Sequence, residues 1–82
     1  MELKDTIQMM QSEDYKERFR AEYYQLKIRY DKLKEMTQKY KEGTLGFQPD
    51  TPMEIFNSQL YYMEGYLKKL GHRVRIENIN LD

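Results

Sequence analysis

Ile55, Gln59, Tyr62, Tyr66 and Arg73 follow one another at steps of four, three, four and seven residues. At about 100° per residue those steps fall on one flank of a single helix. Phenol rings can stack on a base, an amide can bond its edge, and a guanidinium can pair with a phosphate. Arg29, Lys32 and Lys34 bring cationic charge to the middle of the chain and could converge on the same region in an assembly. The bland reading of the same flank is the edge of a packed core, because tyrosines at helical spacing also pack. Spacing alone leaves both readings open.

Groupings that would do catalysis do not emerge. The chain has no cysteine, which removes thiolate nucleophiles, disulfides and thiolate metal sites. The one histidine, His72, sits beside Arg73 and reads as a surface residue, not a general base. Ser12 reads as a helix cap, and Ser58 has no histidine at triad-like spacing. Gly43-Thr44-Leu45-Gly46 lacks the pattern and following lysine of a phosphate loop. Glu13 with Asp14, and Glu35 with Glu42, read as solvated helix faces, because paired catalytic carboxylates need a cleft. A non-enzyme with no metal and no cofactor is expected.

The elements that must position these residues are helices. Residues 1–11 carry Leu3, Ile7 and Met10 on one face, about two turns that must dock on something. Ser12 is the expected cap of a helix over about 13–42, closed by Gly43. Its apolar stripe is Tyr15, Phe19, Tyr23, Leu26, Tyr30, Leu33, Met36 and Tyr40. The loop 43–51 follows, with Leu45 and Phe47 expected to tuck back over the open end of the core. Thr51-Pro52-Met53-Glu54 predicts a capping box that starts a helix over about 52–75. Met53, Phe56, Leu60, Met63, Leu67, Leu70 and Val74 form its stripe, which passes through Gly71. A stop at Gly71 is the alternative. Ile76 to Asp82 should be irregular but docked.

The expected fold is therefore all-α. It is one domain over 1–82, a short N-terminal helix plus an antiparallel hairpin of two long helices. Eighty-two residues bury a small core, and without cysteine the remaining staple is self-association. Ala21, Tyr24 and Ile28 lie nearly opposite the stripe of the first long helix. They are the predicted oligomer interface, with Tyr24 and Ile28 exposed in a lone chain. Fourteen basic residues balance fourteen acidic ones, so no DNA or RNA partner is expected. No apolar run approaches the roughly 18–20 residues of a membrane span. Met1 to Asp5 shows no basic stretch leading into an apolar one, so the cytosol is the expected location.

The run Ser12-Glu13-Asp14-Tyr15-Lys16-Glu17-Arg18-Phe19-Arg20-Ala21-Glu22-Tyr23-Tyr24, continuing to Lys32-Leu33, resembles the crAss-phage-related small helical proteins of bacterial viruses. Gly43-Thr44-Leu45-Gly46-Phe47, Pro52, Gln59-Leu60, Met63, Tyr66-Leu67, Leu70 and Arg73 extend the resemblance over residues 12–81. The overall pattern is also similar to the phage anti-CBASS sponges. Those are helical oligomers that hold cyclic di- and trinucleotide immune messengers without cleaving them. By motif position Lys32 resembles their phosphate-binding lysine, and Arg73 the arginine of their cyclic trinucleotide site. Tyr15, Phe19 and Tyr23 are the candidates for the base-stacking ring. Gly71 departs from the helix-favouring residue usual before that arginine. The resemblance implies an anti-defence sponge, a homo-oligomer in the host bacterial cytosol. The other readings are a helical inhibitor of a host defence protein, as anti-CRISPR proteins are, and a structural phage protein with no ligand.

Overall fold

The computed structural model of the chain describes residues 1–81. They form a 3-10 turn, Leu3–Thr6, running into α1 (Ile7–Met10), then α2 (Tyr15–Glu42) and α3 (Met53–Ile76), with no strand among the described residues. The fold is all-helical.

Each helix end has a local cause. Asp14, and not Ser12, caps α2: its carboxylate accepts the Lys16 N–H at 3.0 Å. The Ser12 hydroxyl instead accepts the Asp14 N–H at 3.0 Å and shapes the turn ahead of the helix. At the other end Gly43 has φ +75, a left-handed conformation that glycine adopts without strain. That turn lets the Thr44 N–H reach the Lys39 carbonyl at 2.9 Å.

The predicted capping box at Thr51 does not form. Pro52 is the N-cap, and its carbonyl accepts from Ile55 N at 3.1 Å. Thr51 therefore lies outside the helix, and Glu54 falls one position short of reciprocating. A reciprocal box closes instead at the start of the chain, where Glu2 N–H donates to Asp5 Oδ2 at 2.7 Å. The last helix runs through Gly71 and ends at Ile76.

The core is concentrated at one end of the hairpin. Phe19 from the start of α2, Leu70 from late α3 and Ile79 from the tail are buried together. Tyr23, Leu26, Val74 and Leu81 pack around them. Asn78, at φ 55, turns the chain back over the end of α3. Asparagine tolerates that region better than most residues. Ile79 N–H then bonds the Val74 carbonyl at 3.0 Å. Two cations of α2 hold the returning tail: Lys16 donates to the Asn78 carbonyl and Arg20 to that of Asn80.

Elsewhere the hairpin is thinly covered. Thr37 is the buried residue of late α2, with its hydroxyl donating to the Lys34 carbonyl at 2.9 Å. Met36, assigned to the stripe from sequence, is half-buried. Leu45 is half-buried, but Phe47 stays 60% exposed and does not tuck in. The radius of gyration is 15.0 Å. A compact chain of this length would have about 12 Å. The molecule is thus elongated, with little interior.

The N-terminal segment corrects a further expectation. It lies along the side of α2 where Gln25 donates to Thr6 Oγ1 at 2.9 Å. Thr6 is buried there, while Ile7 and Met10 of the expected apolar face are exposed. Ala21 is 1% exposed, and Tyr24 and Ile28 are half-buried. That flank is not the open surface expected of it. A helix too short to stand alone has docked on the nearest apolar strip.

Candidate functional site

The antiparallel hairpin sets early α2 against late α3, so Phe19, Glu22 and Tyr23 meet Tyr66, Leu70 and Arg73 at the packed end. The Arg73 guanidinium lies over the Phe19 ring at 4.7 Å from its centroid. Such a stack is worth about 0.5–1 kcal/mol at an exposed site. Glu77, one turn on, fixes the same group: Arg73 Nε donates to Oε2 at 2.6 Å and Nη2 to Oε1 at 3.4 Å. Arg73 is exposed enough to meet a ligand, and its Nη1 side points to no partner among the described residues.

Tyr66 links the two helices by donating its hydroxyl to a Glu22 carboxylate oxygen. That hydrogen bond, helped by burial and by the Glu22 charge, pushes the phenol pKa above its ordinary value, with Arg73 opposing. Phe19, a sequence candidate for stacking, is buried beneath Arg73, so the corner offers one accessible ring, Tyr66, its phenol proton held by a carboxylate, and a guanidinium with one free edge. This can stack a planar group and pair an anion. It holds no nucleophile with a base. Among the described residues no cluster of His, Cys, Asp and Glu is placed to hold a metal ion. No described helix is long and apolar enough to cross a membrane.

The remaining candidates scatter. Tyr15 is exposed at the first residue of α2. Tyr23 packs on the core cluster and meets Tyr24 edge-on at 5.6 Å. Lys34 sits 5.7 Å from the Tyr30 ring, with Lys27 at 6.0 Å. Arg29 and Lys32 are exposed on α2. Lys32 lies thirteen residues beyond Phe19, about 20 Å along the helix. One chain therefore gathers Phe19, Tyr23, Tyr66 and Arg73 but leaves Lys32 far from Arg73.

Sequence reasoning overlooked three features. Glu77 was legible as an i,i+4 partner of Arg73. Glu22 was not, because its meeting with Tyr66 depends on the register between helices. The third is a shallow notch on the outer face of α3, about 520 Å³, where Tyr61, Gly65, Lys68 and Lys69 join Tyr62 and Tyr66, the two lining residues that spacing had named. Tyr61 and Tyr62 stand 72% and 73% exposed, with rings edge-on at 5.4 Å. A Cβ on Gly65 would meet nothing within 4 Å.

A family model, Sequestin, matches residues 13–76. The chain belongs to the Sequestin family. The match starts just ahead of the Asp14 cap and ends on the last residue of α3, so it covers the whole hairpin. The N-terminal segment and the returning tail lie outside it. The name Sequestin points to sequestration, a binding role rather than turnover, and implies a partner that it does not specify. It does not name the crAss-phage-related proteins that residues 12–81 resemble. No curated protein and no solved structure matches the chain.

Proposed function

We propose that this Sequestin family member sequesters a cyclic di- or trinucleotide immune signal in the host bacterial cytosol, without cleaving it, as a homo-oligomer. The observation that carries this is Arg73, seated on Phe19 beside Tyr66 with one guanidinium edge free. A guanidinium already oriented on a ring loses little freedom when it takes a phosphate. The Tyr66 ring beside it, nearly half exposed, suits stacking of a base. The lack of a nucleophile–base pair fits binding without turnover. Because Lys32 and Arg73 stand apart in one chain, a site that uses both draws them from different subunits.

The inhibitor reading, docking on a host protein through Tyr24 and Ile28, is weakened by their half-burial. Calorimetry against a panel of cyclic di- and trinucleotides tests the sponge. Heat is expected with at least one, and heating the complex should return that nucleotide intact. Arg73→Ala should weaken binding about 10-fold or more while the helix content is kept. No heat with any member of the panel, or recovery of cleaved products, would sink the reading.

A further inference from the structure

The outer face of α3 is arranged symmetrically about Gly65. Tyr61 and Tyr62 stand four and three residues before it, and Lys68 and Lys69 three and four after. On a helix these four positions border the same patch. Ser58 and His72 extend it by one further turn each way, both exposed. Aromatic thus finds cation at the mirrored position, Tyr61 opposite Lys69 and Tyr62 opposite Lys68.

Gly65 itself is unexplained within one chain. It is exposed inside a helix, its φ is not left-handed, and a Cβ there would strike nothing. Glycine weakens a helix, so the fold of a lone chain would be better served by alanine. What a bare backbone does provide is close approach by something from outside.

We propose that α3 pairs with α3 of a second copy, antiparallel across a two-fold axis at Gly65. Such an interface must be self-complementary, each residue meeting its mirrored counterpart. Here Tyr61 and Tyr62 of each copy meet Lys69 and Lys68 of the other, four ring–ammonium contacts around two apposed glycines.

The surface is large enough. The chain exposes 6187 Å². A folded monomer of this mass exposes about 5,300 Å². Tyrosines of about 150–250 Å² each, nearly three-quarters exposed, supply about 600 Å² from the two copies. Ile55, Ile76 and the lysine stems carry the total toward the roughly 1,000 Å² of a stable interface. This pairing does not depend on the nucleotide reading, since it uses the outer face of α3 and not the stack of Arg73 on Phe19.

Mass by sedimentation equilibrium without nucleotide tests it, across the micromolar to millimolar range. The wild-type chain should pass from 10.1 kDa toward twice that mass or a multiple of it. Gly65→Gln should raise the dissociation constant about 10-fold or more, yet raise helix content and Tm at dilutions where the chain is monomeric. Tyr62→Ser should also weaken association, and so should Lys68→Glu with Lys69→Glu. A monomer throughout the range, or an oligomer indifferent to Gly65→Gln and Tyr62→Ser, would overturn the proposal. Nucleotide binding measured on the same variants keeps a failed interface distinct from a failed ligand.

Discussion

The two ends of the hairpin are built on different terms. Where α2 begins and α3 stops, Phe19, Leu70 and Ile79 bury one another, and two α2 cations clamp the returning tail. Where the loop joins the helices, Tyr40 and Phe47 stand exposed, and Gln48 donates to the Tyr40 hydroxyl at 3.3 Å. Both ends have the same two helices beside them. The difference is a third piece of chain, since Ile79 comes back to cover the packed end and nothing comparable among the described residues covers the other. Two helices alone bury only the strip between them, so a small hairpin gains an interior where another segment closes it. The candidate site sits at that closed end, where side chains can be held in one orientation.

The contrast can be broken most directly at Leu70, which is 2% exposed. Leu70→Ala should lower unfolding stability by about 2–5 kcal/mol, read by urea titration. A loss well under that range would mean the packed end is not the core. Ile79→Ala should cost about 2 kcal/mol, less than Leu70 because a chain end can collapse into the space. If Ile79→Ala leaves the urea midpoint unchanged, the tail does not close the hairpin.

The Tyr66–Glu22 link sharpens the comparison through pH. The folded phenol pKa is raised, chiefly by the hydrogen bond to Glu22, so the neutral phenol is favoured in the native state. That contribution is fully present below the unfolded value of about 10 and is lost as pH rises through the folded value. Melting from about pH 9 to about pH 11 should therefore lower Tm more for the wild type than for Tyr66→Phe. Equal slopes would remove the link from the stability of the packed end. The effect is small, because Tyr66 is nearly half exposed to screening solvent. Smallest of all, Phe47→Ser at the loop end should change stability by no more than about 0.5 kcal/mol. A larger loss would show that the loop end has a core after all.

Much of the architecture was legible because it is local. A 3-4 spacing of apolar residues sets a helix and its inward face, and the stripe carried through Gly71 as the helix does. Helix starts were less legible. Ser12, Asp14, Thr51 and Pro52 offer competing caps within a few residues, and the choice turns on small differences in backbone geometry. The candidate site divides the same way. The aromatic and cationic side chains of α3 could be named from their flank, and Glu77 from its spacing to Arg73. The rest needed relations that spacing does not contain.

By itself the sequence determined the helices, their apolar faces and the absence of cysteine chemistry, since each depends on residues a turn apart or on composition. The tertiary structure decided which faces are covered. It laid the N-terminal segment beside Ala21 and returned Ile79 to the core. It joined Tyr66 to Glu22, forty-four residues away, and set Lys32 far from Arg73. Those outcomes depend on the register and direction of one helix against another, which the loop and the closing segments set together.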